Sequence, residues 1–143
     1  MTNRADEKQK TINAPLEKVF GAFSNPDILA TWWGPNGFTN TINEFDFQNQ
    51  GYWRYIMHGP DGKDYENESR FLEVIPNTRI SIEHLSGHHF ILTLEFVAAN
   101  DHTLVYWRQL FDTAEHYQKI AEFVSEANQQ NLDRFEQAVM RNS

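Results

Sequence analysis

Apolar side chains recur along this chain with two different periods, and the change between them falls near residue 39. Before it, Leu16, Val19, Phe20 and Phe23 stand at helical spacing. Pro15 sits just ahead of them, where a first helical turn tolerates a missing N–H. Asn25-Pro26-Asp27 restarts a second short helix that carries Ile28 and Leu29. KQKTIN (8–13) reads as a first strand ahead of both. Beyond residue 39 the period is two, in TNTINEFDF (39–47), YWRYIMHG (52–59), KDYENESRFLEVI (63–75), RISIEHLS (79–86), FILTLEFVA (90–98) and HTLVYWRQLF (102–111). Gly51, Pro60-Asp61-Gly62, Pro76-Asn77, Gly87 and Asn100-Asp101 separate these segments with turn chemistry. Such short separators make neighbouring strands antiparallel, so the six form a meander.

The helical period returns at the end of the chain. Asp112 with Glu115 is a candidate N-cap pair, and a helix runs from there to about Arg141. Tyr117, Ile120, Val124, Ala127, Phe135 and Ala138 fall on one stripe, with Phe123 and Val139 on its edges. Asn131 lies near the centre of that stripe and Asn128 toward its side. A buried amide without a partner costs about 1–3 kcal/mol. Either the two asparagines meet polar groups from the sheet, or the stripe faces a space that holds water or ligand.

These elements predict an α+β fold. A curved antiparallel sheet of about seven strands wraps around a long C-terminal helix, with two short helices after the first strand. One helix of about 10 Å diameter cannot cover the whole concave face of so long a meander. The remaining groove must be filled by side chains, by the short helices or by a guest. TWWGPNGFTN (31–40) leaves the short helices with two adjacent indoles, Trp32 and Trp33, and can close one end of it.

Composition narrows the occupants. The 143 residues suit a single domain with one substantial core. Twelve Lys and Arg against 20 Asp and Glu give a net charge of -8, which repels phosphate backbones and anionic lipid surfaces. No nucleic-acid or membrane partner is expected. The chain has no cysteine, hence no thiolate metal site or Cys nucleophile, which suits a reducing cytoplasm. The N-terminal MTNRADEKQK has no apolar signal core, and no apolar run approaches membrane-spanning length. Eleven Phe, 5 Tyr and 4 Trp are enough rings to fill a dense core or to line an apolar cavity.

The order of elements resembles the helix-grip fold of the START-like, Bet v 1-like superfamily. The nearest resemblance is to the AHSA1-like family, named after the C-terminal domain of the activator of Hsp90 ATPase. INAPLEKVF (12–20), NPDILATWWGPNGFT (25–39), GPDGKDY (59–65), FLEVIPNTRI (71–80) and LDRF (132–135) carry it, across nearly the whole chain. The resemblance implies an apolar cavity between sheet and long helix, with guests that differ widely among relatives. Some relatives bind lipids, polyketides or plant hormones, some are cyclases or hydrolases, and others bind proteins. Many members carry Gly-Trp five and four positions before the LDR segment, where this chain has Ala127-Asn128. An amide in place of an indole enlarges or polarises the cavity near Asn131.

The candidate binding residues follow from the two sources together. Trp32 and Trp33 either pack beneath the short helices or gate a pocket, and the roles are compatible. Trp53, Tyr55, Leu92, Leu94 and Trp107 belong to the aromatic and aliphatic sheet face, Phe123 to the helix, and Asn128 and Asn131 supply polar anchors. His84 shares the face of Ile80 and Ile82, as a core histidine or a pocket group. His88 and His89 are adjacent, so on a strand their rings point apart and make a poor metal site. Glu44 and Asp46 share one face, but Phe45 and Phe47 take the core, so the carboxylates read as a solvated face rather than a catalytic pair. Arg108 faces outward if Trp107 faces inward; an inward Arg108 could hold a ligand carboxylate bidentately, and register alone does not decide between them. Neither a nucleophile elbow nor a phosphate-binding glycine loop is present.

Expected, then, is a small hydrophobic or amphipathic ligand in a sheet–helix cavity, with no cofactor, no metal and no catalytic residue assigned, in a monomer or homodimer. The alternatives are a chaperone-associated interaction domain, or an enzyme on a cyclic or polyketide-like substrate for which His84 and His58 are the candidate acid–base groups.

Overall fold

In the computed structural model, which describes residues 3–142, the first strand pairs with the last. Strand β1 (Ala5–Ile12) lies antiparallel to β7 (His102–Phe111), with Ala5 opposite Leu110 and Ile12 opposite Thr103. Between them come α1 (Leu16–Ser24), α2 (Pro26–Trp32), β2 (Thr39–Phe45), β3 (Tyr52–His58), β4 (Asp64–Ile75), β5 (Arg79–His84) and β6 (Phe90–Ala99). The long helix α3 (Ala114–Arg141) follows β7. All seven strands form one antiparallel sheet in the order β1-β7-β6-β5-β4-β3-β2. The expected α+β architecture is therefore the observed one, including the meander. No helix among the described residues is long and apolar enough to cross a membrane.

Element ends differ from expectation by a few residues, for local reasons. β1 begins at Ala5 rather than Lys8. Its first residues, Ala5 followed by the charged Asp6, Glu7 and Lys8, show no apolar period, yet they complete the ladder to β7. Pro15 is the N-cap of α1, whereas Pro26 does stand in the first turn of α2, where the Asn25 side chain accepts from Asp27 N. Helix α3 is capped by Thr113, whose hydroxyl accepts from His116 N at 3.1 Å, not by Asp112. Asp112 meets His89 Nδ1 at 2.6 Å instead.

The register slips by one residue in β2 between Ile42 and Glu44, and in β4 between Phe71 and Glu73. Such bulges bend a strand and increase its twist, which curls the sheet toward the helix. On the concave face the period-two pattern is kept: Trp53 and Tyr55, Ile80, Ile82 and His84, Leu92, Leu94 and Phe96, then Val105 and Trp107 are buried. The intervening Arg54 pairs with Glu44 and Glu68 on the outer face, and Arg79 with Glu73 and Glu95. Arg108 is outward too, 3.7 Å from Glu7, while Trp107 is inward.

Helix α3 packs on β1 and β7 and against α1 and α2. It meets two separate apolar clusters. Leu132, Phe135, Ala138 and Val139 join the main core under the short helices, while Tyr117 and Val124 pack with Phe111 near the other end. Asn128 and Asn131 occupy the stretch between these clusters. One rod thus seals the sheet along one side and at one end, and leaves the middle strands uncovered.

Candidate ligand-binding cleft

The uncovered middle is a cleft of about 600 Å³ between the sheet and α3, mostly apolar and open on one side. Tyr55, Met57, His84, Phe90, Leu92 and Trp107 form its sheet wall. Phe123, Val124, Ala127, Asn128 and Asn131 form its helix wall. The segment after α2 closes one end through Trp33, Gly34 and Phe38, and the β5–β6 hairpin bounds the other through Ser86 and His88.

The two indoles divide the packing and gating roles. Trp32 is fully buried; its Nε1 donates to Ala22 O at 2.9 Å and its ring stacks on Phe135 at 4.4 Å. Being the last residue of α2, it points into the closed core. Trp33, one step later in extended backbone, turns to the cleft and packs at 5.0 Å on Trp53 and 5.9 Å on Trp107. Trp53 and Leu94 are also in the core rather than on the cleft wall: Trp53 is roofed by Phe23, Trp33 and Phe45, and Leu94 is completely buried. Of the 11 expected binding residues, then, Trp32, Trp53 and Leu94 stand behind the cavity. Trp33, Tyr55, His84, Leu92, Trp107, Phe123, Asn128 and Asn131 face it.

One side chain holds the closing segment in place. Arg134 of α3 donates through Nη1 to Gly34 O and Pro35 O, each at 2.7 Å, and to Trp33 O at 3.5 Å. Its Nη2 reaches Phe38 O at 2.7 Å and Thr31 O at 3.2 Å. The planar guanidinium suits this because its donors fan out in one plane. Burial, with the nearby Arg141 charge, lowers its pKa from the usual arginine value. Gly34, at φ +100° and with a Cβ position 2.7 Å from Met57, is the residue that lets the chain turn there.

The two asparagines meet polar partners and still border the cavity. Asn128 Nδ2 donates to Asp6 Oδ2 of β1 at 3.0 Å and to Gln109 Oε1 of β7 at 2.9 Å. Asn131 Oδ1 accepts from Gly34 N at 3.3 Å. Tyr55 is enclosed so completely that burial pushes its pKa up to about 12, against hydrogen bonds from Trp33 and Ser69 that favour the phenolate. His84 stacks on Phe90 at 4.6 Å; its Nδ1 lies 2.7 Å from His88 O and its Nε2 2.8 Å from Asn67 Oδ1. Burial holds its pKa below the usual histidine value, opposed by the His88 carbonyl. It is both a hydrogen-bonded core histidine and part of the wall.

Of the other histidine candidates, His88 borders the cleft, while His58 and His89 lie elsewhere. His58 sits between Thr41 and Asp64, each at 2.7 Å, away from the cleft. His88 stacks on His116 at 5.1 Å, and His89 bridges Glu83 and Asp112, which raise its pKa. Among the described residues no three His, Cys, Asp or Glu side chains stand together as a metal-ligand set. Met57, Phe90 and Gln109 also line the cleft and were not among the expected binding residues, although Met57 and Phe90 share the apolar strand faces of residues that were. Gln109 was legible, two positions past inward-facing Trp107; Asp6 was hidden by starting the first strand too late.

A family model described as activator of Hsp90 ATPase homolog 1-like protein matches residues 13–140. No curated protein matches the chain. Among solved structures, a protein from Nitrosomonas europaea is similar at 16% identity, covering 97% of this chain and 96% of its own, with a TM-score of 0.88. One from Arthrobacter aurescens is 18% identical over 96% of this chain and 86% of its own, TM-score 0.88. An AHSA1-like protein from Aeromonas hydrophila is 22% identical over 96% of this chain and 94% of its own, TM-score 0.73. At such identities the likeness is one of fold.

Proposed function

The chain belongs to the activator of Hsp90 ATPase homolog 1-like family, and from that premise we propose that it binds a small apolar or amphipathic molecule in the cleft between α3 and the sheet. The single observation that carries this is a half-open, aromatic-walled space of about 600 Å³ beside a helix that covers only part of the sheet. Pockets of about 300–1,000 Å³ with few placed polar groups are the usual form of small-molecule sites. Trp33 and Phe123 stand at its margins, Tyr55, Leu92 and Trp107 supply apolar area, and Asn128 and Asn131 supply polar contacts. The guest enters by leaving water and covering rings that α3 does not reach.

The test is saturable occupancy. Native mass spectrometry of the purified protein with a naphthalene-based fluorescent probe should show one bound molecule, with quenching that Trp33→Phe diminishes. Absence of saturable binding by both methods overturns the proposal. A second possibility rests on Phe123, which is 72% exposed on the outer margin of the same cleft. If the cleft binds no small molecule and Phe123→Ser abolishes association with a chaperone of the Hsp90 class, the site is a protein-docking surface instead.

A further inference from the structure

We infer that the cleft selects neutral guests that carry a hydroxyl or carbonyl on one edge, and that Asp6, behind the wall, makes it reject anions. This inference rests on the small-molecule function proposed above and specifies its ligand. It starts from the hydrogen-bond order around Asn128. The Asp6 carboxylate only accepts, so the Asn128 amide must turn Nδ2 toward it, at 3.0 Å. The same Nδ2 then donates to Gln109 at 2.9 Å, which fixes Oε1 of Gln109 on that side. Asn128 Oδ1 and Gln109 Nε2 are the atoms left over, one acceptor and one donor, on two residues that both border the cavity. Asn131 adds a second donor, because its Oδ1 is taken by Gly34 N.

The charges around this array all bear on the guest. Among the described residues no Lys or Arg borders the cavity, and its one carboxylate side chain is Glu66, at the exposed rim. Of its two histidines, His84 is held below the usual histidine pKa by burial, and His88 stands at the hairpin end, stacked on His116. Asp6 is 6% exposed and shares its other oxygen with Lys8 Nζ only at 3.8 Å, while that ammonium is held at 2.7 Å by Ser125. A carboxylate guest seated against Asn128 would therefore lose its hydration without meeting a Lys or Arg, and would approach Asp6 through a single amide. A ketone or phenol loses less and matches the exposed donor and acceptor.

Three naphthalenes of similar size test this by isothermal titration: 2-isopropylnaphthalene, 2-acetylnaphthalene and 2-naphthoate. The ketone should bind at least about tenfold more tightly than the carboxylate, a difference of about 1.4 kcal/mol. Asp6→Asn keeps an acceptor for Asn128 and removes the charge, so it should tighten 2-naphthoate several-fold and leave the ketone within about twofold. Equal or preferred binding of 2-naphthoate by the native protein overturns the inference whether or not the variant folds. So does a variant whose ketone-to-carboxylate ratio is unchanged. In both cases 2-isopropylnaphthalene still binds and the cleft function stands; failure of all three probes to bind overturns that function as well.

Discussion

Replacing Arg134 by Gln should loosen the segment that closes one end of the cleft, and the size of the effect can be worked from its contacts. Three of its five carbonyl partners, on Gly34, Pro35 and Phe38, lie at 2.7 Å, the short range of charge-assisted bonds. Each such bond is worth about 1.5–3 kcal/mol at most. The pocket of carbonyls is only partly buried, so water reaches some of them once the guanidinium is gone and the sum overstates the loss. A net cost of about 2–4 kcal/mol is expected. For a chain of this length that corresponds to a fall in Tm of about 6–12 °C. Hydrogen exchange separates local from global loss. The amides of Gly34, Asn36 and Phe38 bond to Asn131, Gln130 and Pro35 respectively, and should exchange faster in the variant than the β6–β7 ladder does. Arg134→Lys should recover part of the stability, because one ammonium cannot span carbonyls on both sides of the turn. A variant within about 0.5 kcal/mol of the native protein, with unchanged exchange at those three amides, would refute the clamp.

Four other outcomes follow from the same structure. Asn128→Ala strips Asp6 of its hydrogen-bonding amide and should cost about 2–3 kcal/mol in urea unfolding; a neutral result would mean that Lys8 alone compensates the carboxylate. Phe123→Ser, at a 72% exposed ring, should change stability by less than about 0.5 kcal/mol yet weaken probe binding; unchanged affinity would remove the ring from the site. Tyr55, with its pKa pushed up to about 12, should contribute no tyrosinate absorbance below about pH 11, so native and Tyr55→Phe titrations should coincide until then. NMR titration should place His84 below the ordinary histidine value of 6.5 and His89 above it. The lowered His84 contributes stability above that value that is lost as pH falls through its folded pKa. The raised His89 contributes stability below that value that is lost as pH rises through its own. An inverted order of the two would contradict both environments.

What could be read from the chain was whatever depends on period. Alternation in FILTLEFVA and RISIEHLS put Leu92, Ile80, Ile82 and His84 on one face, and the structure has them there. The helical stripe put Asn128 and Asn131 inward, where they are 6% and 7% exposed. Period does not distinguish a buried ring that borders a cavity from one roofed by another ring. Trp53 and Tyr55 occupy the same face of the same strand, yet only Tyr55 reaches the cleft, because Phe23 and Phe45 from other elements cover Trp53. Adjacent Trp32 and Trp33 part company because helix α2 stops between them. The clamp by Arg134 was visible as the LDRF segment but not as a role, since its five partners are backbone carbonyls and carry no side-chain signature.

The pairing of β1 with β7 also governs how the molecule can be made. On the ribosome, β2 through β7 add hairpin by hairpin, each strand finding its neighbour just emerged. Ala5–Ile12 are synthesised first, yet their hydrogen-bonding groups have no ladder to join until residues 103–110 have left the exit tunnel. At about 5–20 residues per second that is a wait of about 5–20 s. Throughout it the aromatic-rich short helices also lack the long helix that will cover them, so the nascent N-terminal third is the portion most in need of shelter from other chains.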